Sequence, residues 1–306
     1  MNVFDREAKK LQRDRAARAA NASLYDYLKD EVGYRVADRV YDINRTFANV
    51  LDLGCGRGHV SKNLSKDNVT HLTMTDISPK MLETAAVPED VPCTKQVIDE
   101  ENLPFAENSF DLILSSLNLH WVNNLPGTFQ QLQRCLKSDG AFIGSVFGGG
   151  TLYELRGALQ LAETEREGGF AQHISPFTEI RDIGGLMNRA GFSMLTIDTE
   201  EIKIGYPSMF ELMHDLQGMG ESNATWIRKS HLHRDTLFSA AAIYQELYGN
   251  KDGTIPATFQ IIYMIGWKPD PSQPKPLERG SGNVSFKDLY RLDEIVQDIK
   301  KTPEDK

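Results

Sequence analysis

The densest run of residues able to do chemistry is Leu51-Asp52-Leu53-Gly54-Cys55-Gly56-Arg57-Gly58. An apolar strand delivers one carboxylate and then three glycines at alternate positions. Glycine permits backbone angles and close approaches that a Cβ blocks. A ligand can then lie against the backbone N–H groups at the start of the following helix. Two further acids fall where strands should end. Asp76 closes the apolar run Thr70 to Thr75, eighteen residues after Gly58. A carboxylate there can accept hydrogen bonds from both hydroxyls of a ribose. Asp99 stands before Leu103-Pro104-Phe105 and can accept the exocyclic amine of an adenine. The Gly-x-Gly-x-Gly spacing and the lack of a hydride-transfer set argue against a nicotinamide site.

Three residues are candidates for catalysis: His120, Tyr153 and Asp235. His120-Trp121 follows the fourth strand. His120 is either a general base near the transfer centre or a packed, hydrogen-bonded ring, with Trp121 as core or cofactor wall. Tyr153 and Glu154 open the helix after the fifth strand and can face a substrate. His231, His233 and Asp235 have the composition of a two-histidine, one-carboxylate iron site. On a helix His231 and Asp235 share a face while His233 points away. The cluster therefore reads as surface polar residues at a helix start, and no metal is assigned. Asp235 and Arg234 are left to bind substrate or to pair with each other.

The elements that must position these groups alternate. Short apolar runs at 50–53, 70–75, 93–98, 110–116 and 140–147 read as strands, with helices over 59–66, from Ser78-Pro79 and over 125–137. Such alternation implies parallel pairing in a doubly wound α/β sheet. Thr178 to Ala190 reads as helix, stopped by Gly191. Strand signals return at 192–203 and 257–267, and the stretch 205–256 between them reads as a helical cap over the carboxyl ends of the strands. Residues 1–45 read as helical. Leu24, Leu28, Val32, Val36 and Val40 form one apolar face, preceded by a basic amphipathic pattern with Phe4, Ala8 and Leu11 together. The predicted organisation is an N-terminal helical segment over 1–45, a main domain over 46–267, and a proline-rich linker with a short helix from about 286 over 268–306.

Composition narrows the function. The 306 residues are 40% hydrophobic and 25% charged, and 34 basic against 43 acidic residues give a net charge of −9. An acidic surface repels phosphates, so nucleic acid is not an expected partner. Cys55, Cys93 and Cys135 are an odd, widely spaced set, which argues against a disulfide framework and for a reducing compartment. Residues 1–20 hold six basic residues, Arg6, Lys9, Lys10, Arg13, Arg15 and Arg18, interrupted by Asp5, Glu7 and Asp14. That face reads equally as solvated or as a docking surface for a partner or a membrane.

The glycine loop, Asp76, Asp99 and Phe110-Asp111-Leu112-Ile113 resemble the class I S-adenosylmethionine-dependent methyltransferases, closely over 48–147 and more loosely to 267. The resemblance implies a Rossmann-like seven-stranded sheet with helices on both faces. It also implies a cofactor site in which Asp52, Gly54, Gly56 and Gly58 hold the methionine part, Asp76 the ribose and Asp99 the adenine, with Ile77 packing on the base. Narrower segments resemble the mitochondrial complex I assembly factor 5 family across most of the chain. They are Asn2-Val3-Phe4-Asp5-Arg6, Ser116-Leu117-Asn118-Leu119-His120-Trp121-Val122-Asn123, Phe147-Gly148-Gly149-Gly150-Thr151-Leu152, Leu232-His233-Arg234-Asp235-Thr236 and Ala257-Thr258-Phe259-Gln260-Ile261-Ile262-Tyr263. That resemblance implies hydroxylation of an arginine on an iron–sulfur subunit of complex I, in the matrix and peripheral to the inner membrane. Hydroxylation usually calls on a redox metal or flavin, and the sequence identifies none. The 116–123 segment also resembles the malonyl-carrier-protein O-methyltransferases, so methyl transfer to a carrier-bound carboxylate, or to another oxygen or nitrogen, is the alternative. An assembly chaperone with a vestigial cofactor site is a third reading.

Overall fold

The computed structural model describes residues 2–275 and 279–280. The chain divides into two compact units, Met1–Asp270 and Pro271–Lys306. All elements named below belong to the first. The helix expected from about 286 lies outside the described residues.

Seven strands form one sheet: β1 (Phe47–Leu53), β2 (Val69–Asp76), β3 (Cys93–Val97), β4 (Phe110–Ser116), β5 (Leu136–Phe147), β6 (Ser193–Tyr206) and β7 (Ile255–Trp267). Their order is β3-β2-β1-β4-β5-β7-β6. The first five pair in parallel, and β7 runs antiparallel to both β5 and β6. The order reverses between β1 and β4, which opens a crevice at the carboxyl ends of those strands. Val50 and Leu51 point to opposite faces and enter two different hydrophobic clusters, as period-two alternation in a sheet covered on both faces requires. One cluster gathers Val32, Val36, Leu72 and Tyr244; the other gathers Ile113, Phe129, Phe142 and Met187.

The helices are α1 (Arg6–Arg18), α2 (Tyr27–Tyr41), α3 (Pro79–Thr84), α4 (Leu125–Cys135), α5 (Tyr153–Glu167), α6 (Ile180–Arg189), α7 (Met209–Gly218) and α8 (Arg234–Tyr248). Ser78 caps α3 by accepting from Met81 N, with Pro79 in the first turn, as its sequence implies. Leu28, Val32, Val36 and Val40 are the buried face of α2. Leu24 does not join them, because it falls in the short turn before the helix and is exposed. Two helices, α7 and α8, lie within 205–256.

The helix expected over 59–66 does not form; only a single turn at Ser61–Asn63 is present. Polar groups explain this. Ser61 Oγ donates to Asp52 Oδ2 at 2.5 Å, Asn63 Nδ2 donates to His59 O at 2.8 Å, and Tyr41 OH donates to Asn63 O at 2.8 Å. Each bond takes up a carbonyl or fixes a side chain in competition with a helical ladder. Among the described residues no helix is long and apolar enough to cross a membrane.

Candidate functional site

The glycine loop leaves β1 at the crevice. Gly54 has φ +68°, and a Cβ there would meet the Asn118 amide. Gly58 has φ +81°, and a Cβ there would lie 2.2 Å from Ala86 O. Both conformation and space therefore demand glycine. The loop is tied to the end of β2: Gly56 N donates to Asp76 Oδ2 at 3.0 Å, and Ser78 N donates to Asp76 Oδ1 at 2.8 Å. Gly54, Gly56 and Asp76 line a small cavity of about 30 Å³ together with Arg13, Lys29, Arg57 and Met219.

The other residues assigned to the cofactor take different places. Asp52 is fully buried behind the loop, bonded to Ser61, and does not line this cavity. Burial raises its pKa to about 7, against the hydrogen bond from Ser61 and with help from the Asp76 charge. Gly58 packs on Ala86 rather than on the cavity. Ile77 is half-buried beyond the end of β2. Asp99 is partly exposed and accepts from Arg6 Nη2 at 2.8 Å and from Glu101 N at 2.9 Å.

The basic face of the N-terminal segment is the largest departure from expectation. Three of its cations point inward. Lys9 is fully buried and Arg13 is 5% exposed, while Arg15 and Arg18 remain outside. Arg13 Nη1 lies 3.4 Å from Asp76 Oδ2, and Nη2 donates to Asn118 Oδ1. Arg6 donates to Glu100 as well as Asp99. Glu100, fully buried, sits between Arg6 and Arg13. Lys9 Nζ donates to the carbonyls of Gly220 and Ser222 at 3.0 and 2.9 Å and lies over the Trp121 ring. Buried charges persist only when paired and hydrogen-bonded, and these carboxylates and carbonyls meet that condition. Of the apolar residues in that pattern, Phe4 is buried and Leu11 is exposed.

His120 is buried against Trp121, Phe147 and Phe177. Its Nε2 lies 3.5 Å from Glu221 Oε2, and its Nδ1 is buried without a hydrogen-bond partner. Burial lowers the His120 pKa, although the bond to Glu221 opposes this. Glu221 accepts from Trp121 Nε1 at 2.9 Å and pairs with Lys29 at 2.7 Å. Burial acts to raise the Glu221 pKa, but Lys29, His120 and Lys9 outweigh it and hold the carboxyl well below its usual range. Glu221 also borders a chamber of about 210 Å³ lined by Leu152, Ser175, Asn223 and Lys229. A larger chamber of about 710 Å³ shares the His173 and Phe177 walls and reaches Arg156, Glu179, Phe170 and Ile227. Phe170 and Ile227 are strongly exposed.

Tyr153 and Asp235 stand apart from His120. Tyr153 is half-exposed at the start of α5, edge-on to Tyr248. Its neighbour Glu154 is buried and accepts from Thr258 Oγ1 at 2.5 Å, which fastens α5 to β7. Asp235 is exposed in the first turn of α8, and Arg234 leans on Phe238. His231 and His233 precede the helix. No hydrogen bond or ion pair among the described residues joins Tyr153 or Asp235 to His120. Among the described residues no group of three or more His, Cys, Asp or Glu side chains is placed to hold a metal. Arg6, Lys9, Arg13, Glu100 and Glu221 were not assigned from sequence. The spacing 6, 9, 13 on one helical face was the available signal. Their acidic partners lie 63 to 212 residues away along the chain, beyond the reach of local pattern.

Known proteins agree with this architecture. A methyltransferase domain matches residues 51–144. A candidate methyltransferase from Bacillus halodurans superposes with a TM-score of 0.55 at 16% identity, over 78% of this chain and 99% of that one. That likeness concerns the fold alone. The malonyl-[acyl-carrier protein] O-methyltransferase of Gallionella capsiferriformans is 32% identical over 88% of this chain and 93% of its own length. The mitochondrial arginine-hydroxylase NDUFAF5 of Danio rerio is 58% identical over 97% of this chain and 92% of its own length. The human protein of that name is 55% identical over 99% and 87%. With more than half of its residues shared end to end, the chain belongs to the arginine-hydroxylase NDUFAF5 family, built on a class I methyltransferase fold.

Proposed function

We propose that this chain is a mitochondrial protein arginine hydroxylase of complex I assembly. In this reading it binds S-adenosylmethionine and adds oxygen to an arginine of an iron–sulfur subunit of NADH:ubiquinone oxidoreductase, in the matrix at the inner-membrane surface. The observation that carries the reading is the 58% identity with arginine-hydroxylase NDUFAF5 over nearly the whole chain. Fold alone would not suffice, because one scaffold supports many chemistries.

The donor set suits S-adenosylmethionine. Asp76 ends β2 beside the backbone of Gly56, which is the arrangement a ribose and an adjoining amino-acid tail require. The space does not suit it while α1 is seated. The cavity is about 30 Å³, whereas ligand pockets span roughly 300 Å³ or more. We therefore derive no step through the cofactor.

The chain's own residues support a second compartment for the substrate. The 710 Å³ chamber is large enough for an arginine side chain and its flanking backbone. Exposed Phe170 and Ile227 at its rim offer apolar contact to a polypeptide. His120 lines neither chamber; it packs behind their shared Phe177 wall, and its Nδ1 is buried without a hydrogen-bond partner. Hydroxylation replaces a C–H hydrogen with OH, so the oxygen comes from a donor other than a methyl sulfonium.

The test is a peptide mass map of the candidate iron–sulfur subunit after incubation with this protein, S-adenosylmethionine and a reductant. An oxygen increment on arginine is expected. A methyl increment with stoichiometric release of S-adenosylhomocysteine would establish the second reading, an O- or N-methyltransferase, which the 32% identity with the malonyl-carrier enzyme favours.

A further inference from the structure

The two acids that the strand ends offer to a nucleoside are both held by one helix. Arg13 takes Asp76, and Arg6 takes Asp99. Positions 6 and 13 are two turns apart and share a face of α1, with Lys9 between them. The Arg13–Asp76 pair is buried, whereas Asp99 keeps 40% of its side chain exposed. Arg13 and Lys9 are buried, and Glu100 is enclosed between the two guanidinium groups. Arg13 also donates to Asn118, the residue against which Gly54 is packed, so the guanidinium rests on the wall of the glycine loop. On the far side Asp14 accepts from Ser78 Oγ at 2.6 Å, beside the cap of α3. The same seat leaves only about 30 Å³ at the loop.

Ala16 and Ala17 of α1 pack on Met81 of α3, and its remaining polar groups are tied to one irregular segment. Lys9 reaches Gly220 and Ser222, Gln12 reaches Asn223, and Arg228 reaches Asp5. Three exposed residues, Ala19, Ala20 and Asn21, separate α1 from the next turn. The helix can thus leave the trough by releasing these bonds, while Glu221 stays paired with Lys29 of α2 and bonded to Trp121.

From this the geometry points to α1 as an internal competitor of the cofactor: Arg13 and Arg6 occupy the ribose and adenine acceptors, and S-adenosylmethionine binds by displacing them. The inference rests on the cofactor reading above and deepens it. A competing closed state lowers apparent affinity by the fraction of molecules that are open. Removing a clasp therefore strengthens binding, whereas removing a cofactor ligand weakens it.

The experiment uses the full chain, with hydrogen–deuterium exchange over residues 5–18 and 54–58 and calorimetric titration of S-adenosylmethionine. Saturating cofactor should speed exchange in α1 while slowing it in the glycine loop. Arg13→Gln should tighten binding about fivefold or more, and Arg6→Gln should act in the same direction with a smaller effect. Slower exchange in α1 with weaker binding by Arg13→Gln would overturn the proposal and make Arg13 a cofactor ligand. Binding that leaves α1 exchange unchanged would remove the proposal and spare the cofactor reading. Absence of binding in the parent chain and both variants would remove both. The exchange measurement on the parent chain needs no variant to fold.

Discussion

Helices α1 and α8 are nearly equal in length, 13 and 15 residues, yet they are seated by opposite means. α8 buries Thr236, Ala240 and Tyr244 and packs along α5. Tyr244 OH donates to Pro256 O at 2.7 Å. α1 buries Lys9 and Arg13 together with two alanines. An apolar seat of the first kind depends on shape and excluded water, and it changes little with charge. A charged seat holds only while each carboxylate keeps its partner, and another ligand that satisfies the same carboxylates can replace it. The difference assigns scaffold duty to α8 and leaves α1 free to yield.

The comparison can be broken most forcefully at α8. Tyr244→Ala should lower unfolding stability by about 4 kcal/mol, since it opens a large cavity and strands a carbonyl. Chemical denaturation checks it, and a loss below about 1 kcal/mol would deny α8 its scaffold role.

Glu221→Gln should cost about 3 kcal/mol, because Lys29 and Lys9 lose the buried charge that compensates them. The sign with pH follows from the depressed carboxyl. Its contribution is complete above the ordinary glutamate range and disappears as pH falls through the lowered folded value. A variant whose stability matched the parent at neutral pH but not in acid would contradict this.

Asp52 works the other way. Its folded pKa is raised to about 7 by burial, so its contribution is complete below the unfolded value and is lost as pH rises toward 7. Stability should decline by about 2 kcal/mol between roughly pH 5 and 7 on this account, and Asp52→Asn should flatten that slope. Denaturant midpoints measured across that range decide it.

The smallest effect is expected at Lys9. Lys9→Met keeps the packing over Trp121 and leaves Glu221 its Lys29 partner, but it strips the Gly220 and Ser222 carbonyls of their donor, so a loss of about 1–2 kcal/mol is expected. A loss near that of Tyr244→Ala would mean that the two seats are alike after all.

The fold was legible because its signals are local. Alternating apolar runs, Ser78-Pro79 and Gly191 each mark a boundary within a few residues, and the structure places strands or helix ends there. The glycine loop and Asp76 were legible for the same reason, since strand ends bring them together. What stayed hidden depends on distant partners. Nothing near Arg13 in sequence announces Asp76 or Asn118, so its helix read as basic and open. Glu221 lies 100 residues from the Trp121 indole that binds it. The turn at Ser61–Asn63 reads as helix in the sequence because helical periodicity carries no record of where a serine hydroxyl will find an acceptor. His120 adjoins Trp121 in the sequence, but the rest of its aromatic enclosure comes from Phe147 and Phe177, which are remote along the chain.

The cysteines acquire a different significance in a protein proposed to handle an oxidant. Cys55 sits inside the glycine loop itself, at 5% exposure. Burial, followed by the nearby Asp52 and Asp76 charges, pushes its thiol well above the ordinary range. Burial likewise raises Cys135 and Cys93. Oxidation proceeds through the thiolate, so each sulfur is kept in its least reactive form. In the proposed reading the glycine loop is in this way insulated from an oxidant used beside it, and damage to the buried Cys55 becomes a consequence of unfolding rather than of turnover.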